Sequence, residues 1–411
     1  MRMSVYIIRR VLLLFPIIIG VMTITFVLVS SLGVTQQLIS HFGAPPRQAP
    51  WLYDPTTSCA NLHLPGNGSC ANPYYHHFVS VLGLDKPIIV QWAYYMYNSF
   101  TFQWGRVNNN SALGSGATGN GQYAFTKYQP VTQVISYFLP YTLELAALAL
   151  VLILAIAIPL GNLAAVNRNR PIDQASRVLS FSGYAMPGFL LGTLVVMAFT
   201  IGLSNISGVL IRTPWCPSGE GPFFEITGSW PSVSNCFGGL YPTWLSQGVI
   251  SSPTGFPTID AMIHGQYWLA LDTVLRIILP ALVITFGAVA VLLRFVRNSM
   301  LEVMNLDFIR TARAKGVPER TVVRRHAGRN SLNVTITVLG LTFAFFIGGF
   351  PVVEDVFNLH GVGLLLVNAA IYPFDFGVIF GSVILFTYLV VIANIIVDVL
   401  YAYLDPRVRL G

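Results

Sequence analysis

Six stretches of this chain are apolar over a length that water does not tolerate, and they set the fold class before any motif is read. On a window of about 19 residues they fall near 7–32, 137–163, 178–203, 274–297, 333–353 and 376–402. A run of about 18 or more apolar residues is long enough to cross a bilayer as a helix. Composition points the same way, with 54% hydrophobic and 9% charged residues against about 45–50% and 25% for a soluble domain. Mean hydropathy is +0.65. The expected class is an all-α polytopic membrane protein of six transmembrane helices, and a water-soluble enzyme is excluded.

An even number of spans places both termini on one side, and positive charge identifies that side. Arg2, Arg9 and Arg10 precede the first run. Three more basic residues lie at 168–177, nine at 294–329 and two at the C-terminus, so 17 of the 23 fall on one inferred face. Arg47, Lys86, Arg106, Lys127, Arg212 and Arg276 are left for the other. The positive-inside rule makes the richer face cytoplasmic, with the N- and C-termini in the cytoplasm of a cell-membrane protein. The stretch from Val5 to Leu32 exceeds the roughly 7–15 residue core of a cleavable signal and no small-residue cleavage site follows it, so it is expected to stay as the first span.

The chain then divides into a first transmembrane helix at 1–32, an extracytoplasmic cap segment at 33–130, transmembrane helices 2 and 3 at 131–203, a second extracytoplasmic segment at 204–270, and helices 4 to 6 at 271–411. Both outer segments are rich in Gly, Pro, Asn and aromatic residues. All four cysteines, Cys59, Cys70, Cys216 and Cys236, fall there, on the side where oxidation persists. Three disulfide pairings are open; joining 59 to 70 and 216 to 236 closes the shorter loops. Asn67, Asn109 and Asn205 head N-x-[ST] sequons on the same side and are candidate glycosylation sites. Residues 108–121, NNNSALGSGATGNG, read as a flexible loop tip. The aromatic group before it, Trp92, Tyr94, Tyr95, Tyr97, Phe100, Phe102 and Trp104, suits an interfacial belt or cap core better than a ligand-stacking wall.

Catalysis by the chain itself has no support. A phosphate-binding G-x-x-x-x-G-K-[ST] loop needs a Gly-Lys pair, and the three lysines, Lys86, Lys127 and Lys315, follow Asp, Thr and Ala. The seven histidines form no H-E-x-x-H and no Cys-x-x-Cys occurs, so no metal site and no catalytic residue is assigned. Basic residues sit in short stretches between apolar runs rather than on an aromatic-bearing soluble surface, which argues against nucleic acid as a partner. Charge within a span is costly and marks candidates for function: Glu144 in the second span and Asp398 in the sixth are candidate path residues, with helix packing as the plainer role, and Glu354 with Asp355 are candidates for an outer gate.

The most informative polar segment is 294–330, with nine Lys/Arg against Glu302, Asp307 and Glu319. Asn305 or Asp307 is placed to cap a short helix whose last turn holds Arg313 and Lys315, before Gly316 as a left-handed stop and Pro318 beyond it. Met304, Phe308 and Ala312 share one face; Asp307, Arg310 and Arg313 or Ala314 share another.

The run RNSMLEVMNLDFIRTARAKGVPERTVVRRHAGRN from Arg297 closely resembles the coupling segment, here 298–330, of the B-type permease in the dipeptide and oligopeptide family of ABC importers. LGLDKPIIVQW at 82–92, PVTQVI at 130–135, LPYTLELAALAL at 139–150, IPLGNLAAV at 158–166, the Asp173 to Arg177 link, MPGFLLG at 186–192 and NIIVDVLYAYLDPRVRLG from Asn394 resemble that family in the same order. The general importer motif maps onto Arg310, Thr311, Ala312 and Gly316, without its Glu and first Ala. The resemblance implies a type I ABC importer fold and a permease subunit forming half of a translocation path; the chain departs from the family pattern in enlarged extracytoplasmic loops at 33–80, near 106–126 and at 204–270. It implies as partners a second homologous permease subunit, two cytoplasmic ATPase subunits that hold ATP and Mg while this chain binds no cofactor, and an extracytoplasmic substrate-binding protein. Asp307, Phe308, Arg310, Ala312, Arg313, Lys315 and Gly316 become the ATPase-coupling residues. The cargo implied is a short peptide, with an oligosaccharide as the alternative. An ion-coupled secondary transporter would show midplane acids and internal repeats; it and a membrane scaffold are the readings from other classes.

Overall fold

A computed structural model describes residues 3–31, 79–80, 83–107, 129–198, 254–331, 350–357, 359, 361–370 and 375–404. The described residues are helical apart from loops and one isolated antiparallel bridge between Arg106 and Pro130. The helices are α1 (Met3–Ser30), α2 (Ile88–Phe100), α3 (Val131–Val166), α4 (Pro171–Ala185), α5 (Gly188–Met197), α6 (Pro257–Ile263), α7 (Tyr267–Met304), α8 (Asp307–Ala314), α9 (Glu319–Thr321), α10 (Val362–Ala370) and α11 (Phe376–Leu404). Among the described residues three helical stretches, Val131–Val166, Ile277–Met304 and Phe376–Val399, are long and apolar enough to cross a membrane, and a fourth span arises if the bent pair α4 and α5 is one. The protein is therefore a multi-pass helical membrane protein.

Two of the expected spans differ from what hydropathy suggested. The run at 178–203 is not one straight helix: α4 and α5 meet at an angle of 101°. Pro187 is the reason, since its fixed φ and missing N–H end α4 at the residue before it; Met186 is extended and Pro187 caps the new helix. The fourth span does not stop at 297 but continues as α7 to Met304, because intrahelical hydrogen bonding does not cease where apolarity does. The helix α11 matches the sixth expected run closely. In α1 the apolar portion is Phe15–Leu28. The fifth run at 333–353 lies almost wholly outside the described residues, as do the four cysteines, the three sequons and the Gly/Asn loop tip.

The chain forms two compact units. One comprises 13–139 and 362–388. In it α2 packs along α1: the Trp92 indole N–H donates to Thr23 Oγ1 at 3.0 Å, Phe15 stacks on Phe100 at 5.8 Å and Phe26 tilts against Tyr95 at 5.6 Å. Phe102 and Trp104 gather on Tyr388 at 6.0 and 6.4 Å. Trp92, Tyr95 and Trp104 are thus half-buried in this packing, while Tyr94, Tyr97, Phe100 and Phe102 are exposed. Val107 N–H donates to Gln129 O and Val131 N–H to Gly105 O, both at 3.0 Å, closing the base of the loop 108–128.

The other unit comprises 1–12, 140–361 and 389–411, and it carries the polar segment. Its spine is α7, against which α4 lies so closely that a Cβ on Gly183 would overlap Ala290 Cβ and press on the Phe286 carbonyl. Glycine is required there by close approach rather than by backbone conformation. We expect Gly183→Ala to lower the unfolding temperature of the detergent-solubilised protein by several degrees, because overpacking of about 1–3 kcal/mol exceeds a helix-propensity gain of up to about 1 kcal/mol. Gly188→Ala, whose Cβ meets nothing within 4 Å, should leave it unchanged.

Candidate functional site

The polar segment folds back onto the ends of two long helices. Ile309 of α8 is completely buried, in a cluster with Ala165 from the end of α3, Met300 and Val303 from the end of α7, and Val322 and Ala327. Ala312, Met304, Val317 and Val323 pack around it, partly buried. The inward face of α8 is therefore Ile309 with Ala312, and Phe308, expected to share the face of Ala312, is 41% exposed. Ile309 is the residue that the sequence pattern missed; its signal is the spacing of Ile309 and Ala312 at i and i+3.

The ends of α8 are fixed by backbone chemistry. Neither expected cap acts as one: Leu306 is the N-cap, in an extended conformation and without a side-chain bond. Asn305 instead ends α7, its amide donating to Leu301 O at 3.0 Å. Asp307 occupies the first helical position, where its charge suits the positive helix end. At the other end Gly316 has φ of +75°. Val317 N–H donates to Ala312 O at 3.2 Å and Gly316 N–H to Arg313 O at 2.9 Å, the 6→1 and 5→2 pair of a Schellman stop. Pro318 then starts α9, which passes into a π-helical turn at Val322–Ala327. Ser299 Oγ donates to Ser331 O at 3.1 Å and ties the returning strand of helix to α7.

Two ion pairs dress this motif. Arg313 donates through Nη2 and Nε to the Glu319 carboxylate at 2.7 and 3.1 Å, bridging the stop at Gly316. Arg310 Nη1 donates to Asp307 Oδ1 at 3.2 Å, and both side chains are well exposed. Lys315 is exposed as the C-cap. The solvent-facing surface of α8 therefore carries Asp307, Phe308, Arg310, Thr311, Ala314 and Lys315, while Arg313 is already engaged.

The Arg313 guanidinium holds the Glu319 carboxyl below its ordinary range, and the same contact raises Arg313. A depressed carboxylate stabilises fully above its unfolded pKa of about 4.3 and loses that contribution as pH falls through its lowered folded value. The bridge is thus complete at neutral pH.

A second arrangement ties α4 to α7. Asp173, in the first turn of α4, is fully buried, and its carboxylate accepts from Arg297 Nε at 2.5 Å and Nη2 at 3.1 Å, from Arg177 Nη2 at 2.7 Å and from Asn169 N–H at 2.9 Å. Arg177 is exposed and Arg297 half-buried, so solvent screens the cluster from one side and losing a partner costs less than the roughly 3–5 kcal/mol of a fully buried pair.

The four candidate path or gate acids do not come together. Glu144 Oε1 accepts from Thr258 N–H at 2.8 Å at the start of α6, and its Oε2 is buried with no partner among the described residues. Glu354 is buried and accepts from Thr142 Oγ1 at 2.8 Å, with its carboxylate against Gly361. Asp355 beside it is exposed, and Asp398 is half-buried in α11. Among the described residues no group of three His, Cys, Asp or Glu could hold a metal ion.

The family described as binding-protein-dependent transport system inner membrane component matches residues 157–410, well over half of the chain. The chain is similar to the oligopeptide transport system permease protein AppB of Bacillus subtilis, at 31% identity over 99% of this chain and 100% of that one. It is 33% identical to the probable D,D-dipeptide transport system permease protein DdpB of Escherichia coli, over 80% of this chain and 83% of that one. A putative peptide transport system permease protein of Brucella abortus is 34% identical over 80% of this chain and 82% of its own length. The protein belongs to the family of binding-protein-dependent transport permeases.

Two substitutions separate the devices that shape α8. Gly316→Ala places a Cβ in open space but in a left-handed conformation that costs about 1–2 kcal/mol. It should speed amide exchange across 307–321 by roughly an order of magnitude at pH 7. Glu319→Gln should speed it less, and protection in the native and Glu319→Gln proteins should converge once the pH falls below the lowered carboxylate value. Equal protection at pH 7 in all three proteins would show that neither device holds the helix.

Proposed function

We propose that this chain is one of two permease subunits of an ATP-driven importer and forms half of a path for short peptides delivered by an extracytoplasmic binding protein. The observation that carries the reading is the geometry of α8: a stopped, eight-residue helix seated by Ile309 on the ends of α3 and α7, with Asp307, Phe308, Arg310, Ala314 and Lys315 directed to solvent. A helix held this way transmits a push to the helices beneath it as a rigid body. Names of relatives over most of the chain's length support the peptide cargo.

In this reading the segment 294–330 is cytoplasmic, six spans cross the membrane with both termini in the cytoplasm, and the segments 33–130 and 204–270 form an extracytoplasmic cap facing the binding protein. One of two ATPase subunits grips α8, and the two ATPases bind ATP and Mg; this chain binds neither. Phe308 and Ala314 supply apolar contact, and Arg310 and Lys315 electrostatic contact. Ala312 and Gly316 act indirectly, by keeping the helix seated and ended. Disulfides at Cys59, Cys70, Cys216 and Cys236, and glycans at Asn67, Asn109 and Asn205, belong to the same outer surface.

The test is the assembled complex in proteoliposomes with its binding protein, offered labelled short peptides or oligosaccharides. Peptides should stimulate ATP hydrolysis and uptake several-fold. Stimulation by oligosaccharides alone would reassign the cargo while keeping the importer, and uptake indifferent to ATP would end the importer reading. Ala312→Trp, which cannot fit beside Ile309, should cut uptake by about tenfold or more while the purified subunit still unfolds cooperatively. Native uptake in that variant would remove α8 as the coupling element.

A further inference from the structure

The Asp173 clamp lies outside the docking surface, yet it joins α4 to α7, one of the two long helices on whose ends α8 is seated. Arg297 stands on α7, which runs unbroken from it to Met304. Met300 and Val303, within two turns of Arg297, are the residues on which Ile309 rests. Displacement of α8 therefore reaches Arg297 through one continuous helix. Asp173 stands at the start of α4, which is bound to α7 a second time where Gly183 meets Phe286 and Ala290. Beyond Pro187 the chain turns through 101° into α5. There Gly192 approaches Val283 of α7 and Val356 and Phe357 of the segment containing Glu354.

We propose that Asp173 and Arg297 are positioning residues for transport: their clamp makes the broken helix α4–α5 follow α7 when the ATPases move α8. The proposal rests on the coupling role assigned to α8. The geometry suits transmission rather than stability alone. Arg297 uses two nitrogens on the two oxygens of one carboxylate, a planar fork that fixes angle as well as distance. Arg177 and the Asn169 N–H fix the same carboxylate from its own side, and Asn169 takes a left-handed φ of 63° to present that N–H. The carboxylate is thus held from the α4 side, and among the described residues Arg297 is the one that reaches it from another helix. A lysine would keep the charge and lose the fork.

The decisive experiment uses the complete complex in proteoliposomes with its binding protein and a short labelled peptide, read as peptide taken up per ATP hydrolysed. The variants are Arg297→Lys and the double Asp173→Asn/Arg297→Gln, which leaves no unpaired buried charge between the two. Each is also built with Thr311→Cys, an exposed position on α8, carrying a benzophenone whose crosslinking to the ATPase subunit reports docking of α8. We expect native crosslinking, a fall of at least fivefold in peptide per ATP for the double variant and a smaller fall for Arg297→Lys. Native peptide per ATP with native crosslinking would overturn the proposal and leave docking intact. Absence of crosslinking in the Thr311→Cys protein that is otherwise native would overturn the docking role and the proposal with it. If the double variant fails to assemble, Arg297→Lys decides: an unchanged ratio overturns the proposal and a reduced one supports it.

Discussion

A carboxylate withdrawn from water can stay ionised only if its charge is met in full, and Asp173 is the place where this protein accepts that condition. Its oxygens receive four donors from three residues, two of which lie within four residues of it in sequence while Arg297 is 124 positions away. A hydrophobic contact at that site would hold α4 against α7 but would let it rotate or slide. The ion pair sets one register, and the register is what brings Gly183 opposite Phe286 and Ala290 rather than a residue with a Cβ. From these two points follow the course of α4 and the position from which α5 departs.

The same logic governs α8 in a different currency. A helix of eight residues is far below the length of about 12–15 at which isolated helices become even marginal in water, so its order comes from outside its own hydrogen bonds. Burial of Ile309 supplies attachment, the Schellman stop at Gly316 supplies an end, and the Arg313 to Glu319 bridge holds the chain after the stop. Exposed ion pairs contribute little, about 0–1 kcal/mol, which leaves the apolar seat as the larger effect and the bridge as a guide for the turn. The seat is built from residues of α3 and α7 together, so the helix is a surface fixture of the bundle rather than a loop hung from it.

How much of this could be read from the amino acids alone depends on whether the signal was local. Span-length apolarity is local, and the helices over Val131–Val166, Ile277–Met304 and Phe376–Val399 were visible as runs. So was the stop at Gly316, where Gly and Pro at the right spacing have few other uses. The break in the third run was not visible as a break: hydropathy averages composition over a window and carries no direction, so Met186-Pro187-Gly188 reads as a continuing apolar stretch. The phase of α8 failed for another reason. Over so few residues Phe308 and Ile309 are adjacent, about 100° apart around the helix, and the pattern contains too little repetition to choose between them. Asp173 and Arg297 could each be seen, but nothing in one sequence pairs them across 124 positions. Capping by Asn305 or Asp307 was plausible chemistry overtaken by geometry, since α7 runs on until Asn305 is its own end.

The break at Pro187 completes the physical argument. Backbone that leaves the helix at membrane depth is tolerated only where protein or water covers it, so an interrupted helix must be positioned with more care than a continuous one. Here α4 is fixed before the break by charge at Asp173 and by close packing at Gly183, and α5 is fixed after it by the approach of Gly192 to Val283, Val356 and Phe357. The bend therefore lies between two anchored bodies, both of which touch α7, and it cannot open without dislodging one of them. Glu354, bonded to Thr142 on α3, lies on the segment that α5 meets. The contacts thus run from the seat of Ile309 along α7, across to α4 at Asp173 and Gly183 and to α5 at Gly192, and on to α3 through Glu354 and Thr142; the bend at Pro187 is itself exposed, so its angle is held by the packing on either side of it.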